Sequence, residues 1–100
     1  MSFWAYVLYI VAGFFAANGI PHFIKGVTGE KHQTPFGNKS SATTNVVWGS
    51  VNFVVAAIIL HYLAIDNHHV IRESIFFAIG GFLISLILAQ AWSGAAKRAK

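Results

Sequence analysis

The sequence predicts an all-α membrane protein with three transmembrane helices, its N-terminus outside and its C-terminus inside. Only 10% of its 100 residues are charged and 56% are hydrophobic, whereas a typical soluble domain carries about 25% charged residues. Three stretches lack Asp, Glu, Lys and Arg, at positions 1–24, 46–65 and 74–94. Each is long enough to cross a hydrocarbon core about 30 Å thick, which requires roughly 20 helical residues. We therefore expect one membrane domain over residues 1–100, with spans at about 3–20, 45–64 and 72–92.

The basic residues set the expected orientation. Six of the seven flank the apolar stretches in two groups, which are Lys25, Lys31 and Lys39, and then Lys97, Arg98 and Lys100. The positive-inside rule places both groups in the cytoplasm, and the amphipathic rings of Trp48 and Trp92 fall near the same membrane surface. Membrane topology thus accounts for the net charge of +4, and no nucleic-acid partner is expected.

The first helix is expected to end near residue 20. Pro21 removes a backbone donor, and Ile20 before it is disfavoured in helical geometry. Residues 22–25 mix aromatic, apolar and basic side chains, which predicts a short segment lying in the headgroup layer. Because glycine and proline recur after it, we expect a polar cytoplasmic loop over about 22–44.

The second and third helices are expected to pack as an antiparallel pair, because the loop between them is short. Small residues recur at four-residue spacing on the first and third helices, where they let two backbones approach closely. They are Gly13 and Ala17 on the first helix, and Gly81, Ser85 and Ala89 on the third. This spacing fits either an interface between copies of the chain or ordinary packing inside one three-helix bundle.

Polar side chains gather at the cytoplasmic end of the predicted bundle. Asn45 and Asn52 share a face of the second helix, and Asn18 lies at a similar depth on the first. His22 and Lys25 are three residues apart and share a face near these amides. Together these side chains could form a vestibule that contacts an ion, a lipid phosphate or a quinone head. We favour a simpler interpretation, in which the amides bond between helices and the basic pair anchors the chain at the membrane surface.

Other residue types bear on several functional classes. No carboxylate lies deep in a predicted span, which disfavours a proton-coupled antiporter. The chain has no cysteine and no recognisable catalytic motif, so we expect no enzyme activity. No metal site is predicted, and the only surface candidates for one are His61, His68 and His69 on the outer side.

One run of residues forms a distinctive pattern. It comprises Asn18-Gly19-Ile20-Pro21-His22-Phe23, then Thr34-Pro35-Phe36, and Asn45-Val46-Val47-Trp48-Gly49 through Asn52. This run resembles a group of small bacterial inner-membrane proteins to which no activity is attached. The resemblance covers roughly the first half of the chain. It implies a multi-pass protein of the bacterial inner membrane and implies no chemistry.

The leading functional prediction is a small non-enzymatic subunit that acts as an oligomer or as an accessory part of a membrane assembly. Three helices leave little interior for the polar and small-residue faces, and association would bury both. A second interpretation is a homo-oligomeric channel or carrier for an ion or small solute, lined by Asn18, Asn45 and Asn52. A third is a redox subunit that binds haem or quinone through histidines. The leading interpretation requires no cofactor, and its partners are the lipid bilayer and further membrane subunits.

Overall fold

The computed structural model describes the backbone of residues 1–99 and the side chains of residues 1–93. Within that part the chain forms three helices and one hairpin, in the order α1 (Phe3–Val27), β1 (His32–Thr34), β2 (Gly37–Ser40), α2 (Ala42–Asp66) and α3 (Val70–Ala99). All three helices are long and apolar enough to cross a membrane, which confirms the all-α membrane class. The C-terminal basic residues used for the orientation, Lys97, Arg98 and Lys100, lie outside the described side chains.

α1 is the central helix of the bundle. It packs along both α2 and α3, whereas α2 and α3 meet only marginally within the described residues. The expected antiparallel pair of α2 and α3 is therefore wrong, although only residues 67–69 separate the two helices. The physical reason is that the glycines which permit close approach lie on α1 and on the faces turned toward it.

The contact between α1 and α3 depends on two glycines. Gly13 faces the carbonyl of Phe77 so closely that a Cβ atom there would overlap it. Gly80 stands in the same relation to the carbonyl of Ile10. Since even alanine would force the two backbones apart at either position, glycine allows a tighter contact than any other residue.

The small residues predicted to pack divide into two groups. Gly13, Ala17 and Gly81 lie together at the α1–α3 contact, where a Cβ on Gly81 would stand 3.5 Å from the Ala17 Cβ. Ser85 and Ala89, farther along α3, are exposed. The Ser85 hydroxyl donates to the Gly81 carbonyl of its own helix at 2.7 Å. Of the three small residues predicted on α3, only Gly81 therefore packs against α1.

α1 continues through Pro21 to Val27. The predicted helix end near residue 20 and the separate headgroup-layer segment over 22–25 are therefore wrong. Proline removes one hydrogen bond from the helix, but packing against α2 on both sides of it keeps α1 helical. Gly19 before the proline and Gly26 after it both lie against the α2 backbone.

A turn after α1 directs the chain back over the bundle. Gly29 adopts a φ of 79°, a left-handed conformation that glycine reaches without strain. The strands β1 and β2 then form an antiparallel hairpin that pairs His32 with Ser40 and Thr34 with Gly37. β1 contacts both α1 and α2. The predicted polar loop thus contains a hairpin that covers one end of the bundle.

The interior differs between the two ends of the bundle. At the end where α1 begins, Ala5, Tyr9 and Leu63 form a buried apolar cluster. At the opposite end, which we call the hairpin end because β1 and β2 cover it, the largest fully buried side chains are Asn45 and Asn52. Buried amides require hydrogen-bond partners, so the geometry of this end is set by polar contacts.

Candidate functional site

Two amides join α1 to α2 near the middle of the hairpin end. Asn18 Nδ2 donates to Asn52 Oδ1 at 3.0 Å, and Asn52 Nδ2 donates to the Trp48 carbonyl at 2.7 Å. The second bond fixes which atom of the Asn52 amide is the oxygen, and this in turn makes the Asn18 nitrogen the donor. The Asn18 oxygen therefore remains free of partners among the described residues.

Asn45 joins the hairpin, α1 and α2 through one amide. Its Nδ2 donates to the carbonyls of His32, Ser40 and Ser41 at 3.1, 3.2 and 3.1 Å. Its Oδ1 lies 3.0 Å from Nδ1 of His22. Because this oxygen can only accept, His22 Nδ1 carries the proton and donates. In the tautomer that makes this bond, the other ring nitrogen, Nε2, carries the lone pair.

Three rings from three segments meet beside this network. The His22 and His32 rings have centroids 5.8 Å apart, and Trp92 of α3 lies 5.9 Å from His22 and 4.3 Å from His32. Both contacts of Trp92 are edge-to-face, the arrangement that aromatic quadrupoles favour. We call these three residues the aromatic triad, and it links α1, the hairpin and α3.

A cleft of about 280 Å³ opens beside the aromatic triad. We call it the hairpin-end cleft, and its lining residues come from all three helices and the hairpin: Asn18, His22, Gln33, Thr34, Pro35, Trp48, Leu88, Ala91 and Trp92. An apolar cavity of about 150 Å³ is enough to bind benzene. The hairpin-end cleft is therefore large enough for one substituted ring, and it combines aromatic walls with polar atoms.

Two ring nitrogens, one in the cleft wall and one in the aromatic triad beside it, are buried without a hydrogen-bond partner among the described residues. They are Nε2 of His32 and Nε1 of Trp48. Each ring lies edge-to-face with an aromatic neighbour, since His32 contacts Trp92 and Trp48 contacts Phe36 at 5.5 Å. Contacts between N–H groups and aromatic faces are weak compared with hydrogen bonds. The two nitrogens are therefore polar atoms held in mainly aromatic surroundings.

The charges near the cleft are separated from its interior. Burial lowers the pKa of His32 below its ordinary value of 6.5, and the neighbouring His22 and Lys25 lower it further, against the opposing effect of Glu30. Lys25 itself pairs with Glu30 at 3.4 Å, with 42% of its side chain exposed. His32 is accordingly neutral at pH 7, and the ammonium group of Lys25 does not line the cleft.

The predicted vestibule residues thus have different positions. Asn18 and His22 line the hairpin-end cleft, and Lys25 lies outside it. Asn45 and Asn52 are buried behind its wall with 0% and 1% exposure, where their amides bond between segments. The predicted set is therefore divided between the lining of the cleft and the buried contacts behind it.

The histidines considered for a metal lie elsewhere. His61, His68 and His69 are exposed and belong to the far end of α2 and the connection to α3. Within residues 1–93 no three His, Asp or Glu side chains are grouped so that they could hold a metal ion.

Sequence reasoning missed most of the aromatic and hairpin walls of the cleft. Trp48 and Trp92 were expected at one membrane surface, which placed them at a common depth. That they share a cavity depends on helix rotation, which aromatic spacing does not encode. Gln33, Thr34 and Pro35 reach the site because the hairpin folds back over the bundle.

No protein-family model, curated protein sequence or solved structure shows significant similarity to this chain. The resemblance to small inner-membrane proteins therefore stays an expectation. The geometry of the hairpin-end cleft is the main basis for a functional proposal.

Proposed function

We propose that this protein is a non-enzymatic, multi-pass protein of the bacterial inner membrane that binds one small amphiphilic molecule in the hairpin-end cleft. The observation that carries the proposal is the composition of the cleft. Trp48, Trp92 and Leu88 supply apolar walls, while Asn18 and His22 each retain one polar atom, Oδ1 and Nε2, that has no hydrogen-bond partner among the described residues. Ligand sites typically have this mixture of mostly apolar lining and a few placed polar groups.

The depth of the cleft supports an amphiphile. His22 lies in the last two turns of α1, a helix long enough to span the bilayer, and Asn18 lies one turn deeper, so a head group held by His22 would lie toward one membrane surface. A hydrocarbon tail could then extend along the exposed apolar faces of the helices. Polar atoms left unpaired near hydrocarbon are unfavourable, and a ligand that bonds to them removes that penalty.

The lining also explains why we propose binding without chemistry. None of the described residues that line the cleft is acidic, and the Thr34 hydroxyl is already bonded to Ser40 at 2.6 Å. The imidazole of His22 is thus not paired with a nucleophile or a second proton-transfer group among the described residues of the cleft. Such pairing is the usual requirement for hydrolytic catalysis.

The proposed orientation places the hairpin end in the cytoplasm. Lys25, Lys31 and Lys39 all lie between α1 and α2 at that end. Basic residues in short loops are retained on the cytoplasmic side. With three spans, the N-terminus is then outside and the C-terminus inside.

Native mass spectrometry of the gently extracted protein tests the proposed function. Ala91→Trp should fill the cleft, because Ala91 lines it, and should remove a bound small molecule that wild type retains. Ala78→Trp is the matched control, since Ala78 is an exposed residue of the same helix. An identical set of bound molecules in all three proteins contradicts the proposal.

A second candidate function is assembly with further copies or with other membrane subunits. It is favoured by Ser85 and Ala89, small residues that remain exposed on α3. Ala89→Ile should then weaken association, measured as the oligomer distribution in native mass spectra. The channel interpretation gains no support from Asn45 and Asn52, because both amides are buried and bonded within one chain.

A further inference from the structure

The polar atoms that the hairpin-end cleft offers are mainly acceptors. Asn52 fixes the Asn18 amide so that its Oδ1 is unpaired, and Asn45 fixes the His22 tautomer so that Nε2 presents a lone pair. Asn18 Nδ2 retains one further hydrogen beside these two acceptors. A group that both donates and accepts, as a hydroxyl does, matches this set.

Apart from the second hydrogen of Asn18 Nδ2 and the Gln33 amide, the donors near the cleft are either hidden or already used. Trp48 Nε1 is buried, and the Thr34 hydroxyl bonds to Ser40 and accepts from the Phe36 N–H at 3.1 Å. Gln33 is exposed at the rim. A ligand head that only accepts hydrogen bonds would therefore leave the His22 lone pair unsatisfied.

Charge argues for a neutral head group. None of the described lining residues is acidic, so an ammonium group would meet no counter-charge among them, with basic Lys25 and Lys31 nearby in sequence. None of the described lining residues is a lysine or arginine either, and Lys25 is paired with Glu30 outside the cleft. A phosphate would therefore be desolvated without a cation among these residues to pair with.

The walls favour a flat ring. Trp48 and Trp92 both line the cleft, and Pro35 and Leu88 add further apolar surface. Aromatic side chains gain most from another ring that can stack or meet them edge-on. The volume of about 280 Å³ suits one substituted ring.

We infer that the hairpin-end cleft selects a neutral amphiphile with an aromatic hydroxyl head, of the alkylphenol or quinol class, whose hydroxyl donates to Nε2 of His22. This inference rests on the proposed function and specifies its ligand. Asn18 Oδ1 accepts from the same hydroxyl or from a second one, and the alkyl chain leaves the cleft toward lipid.

A matched pair of ligands tests the inference on the wild-type protein. The pair is 4-octylphenol and 4-octylanisole, which share ring and chain, while the methyl ether cannot donate. Titration calorimetry uses the full chain in lipid nanodiscs, with empty nanodiscs subtracted to remove partitioning. We expect the phenol to bind about tenfold more tightly, because the anisole leaves a buried acceptor unpaired.

Variants assign the preference to one residue. His22→Phe should bring the phenol-to-anisole ratio close to unity, whereas His61→Phe, at an exposed histidine of the far end, should leave it unchanged. Since His22 also bonds to Asn45, His22→Phe could fail to fold. ¹⁵N NMR of histidine-labelled wild type avoids this difficulty, because the Nε2 resonance of His22 should shift with the phenol and not with the anisole.

The outcomes separate the inference from the proposed function. Equal binding of the two ligands in the cleft overturns the hydroxyl preference and leaves ligand binding standing. Tighter binding of a short-chain phosphatidate than of the phenol also overturns it, in favour of an anionic lipid head. If neither ring compound binds and Ala91→Trp changes no retained molecule, both proposals are wrong.

Discussion

The amide of Asn45 joins three segments at the scale of a single residue. It donates to carbonyls on both sides of the hairpin and accepts from His22 on α1. It is completely buried, so its own amide cannot bond to water instead. The position of the hairpin and the tautomer of the histidine therefore depend on one side chain.

Replacing Asn45 by leucine tests this role. The change leaves His22 Nδ1 and the carbonyls of His32 and Ser40 without their partner. Since an orphaned buried group costs about 1–3 kcal/mol, we expect the free energy of unfolding to fall by roughly 2–4 kcal/mol. Detergent-denaturation curves followed by circular dichroism measure it. The control is Asn38→Leu at an exposed site on β2, and equal stability of the two variants would contradict the assignment.

Acidification should loosen the hairpin end through His32. Its pKa is lowered in the folded protein by burial and by His22 and Lys25, with Glu30 acting in the opposite direction. The unfolded chain therefore takes up this proton first as pH falls, and the stability present above about pH 6.5 is lost below it. We expect faster proteolysis in the hairpin at pH 5.5 than at pH 7.5. His32→Gln should reduce that difference, and an unchanged pH dependence would refute the account.

Among the elements, α1 and α3 make the closest contact through Gly13 and Gly80. Gly80→Ala places a methyl group on the Ile10 carbonyl, and overpacking of this kind costs about 1–3 kcal/mol. Gly81→Ala is the matched control on the adjacent residue, because its Cβ would meet only ordinary contacts at 3.5 and 3.6 Å. We expect thermal unfolding of Gly80→Ala at a lower temperature and that of Gly81→Ala unchanged or raised. A lower unfolding temperature for Gly81→Ala than for Gly80→Ala would contradict the contact between Gly80 and the Ile10 carbonyl.

The sequence predicted which segments are helical and that small residues mediate packing, yet it identified Gly81 and missed Gly80. Consecutive helical residues point about 100° apart, so the glycine that faces α1 depends on a rotation which spacing alone leaves undetermined. Pro21 was misjudged for a related reason. Local preference ends a helix there, and contacts of Gly19 and Gly26 with α2 outweigh that preference.

At the scale of the whole molecule, hydropathy predicted three spans because it is a property of each segment alone. Which helices pack together depends on pairs of segments, and the short connection after α2 suggested the wrong pair. The hairpin-end cleft follows from this order, since α1 lies between the other helices and the hairpin covers the end where they diverge.

Cysteine accessibility tests the orientation. Because the chain has no cysteine, the labelling of a single introduced cysteine can be measured without background. Lys39→Cys in the hairpin should react with a membrane-impermeant maleimide only after the cells are broken. His68→Cys, in the connection between α2 and α3, should react in intact spheroplasts. The opposite labelling pattern would contradict the proposed orientation and would place the hairpin end outside.

Photo-crosslinking tests ligand binding in the hairpin-end cleft most directly. The probe is a 4-alkylphenol with a diazirine beside the ring, used on the full chain in nanodiscs and mapped by mass spectrometry. The account predicts labels on Leu88 or Trp92 of α3 and on Thr34 or Pro35 of the hairpin, all removed by excess 4-octylphenol. Labels on lipid-facing positions such as Val54 and Ile58, unaffected by the competitor, would contradict it.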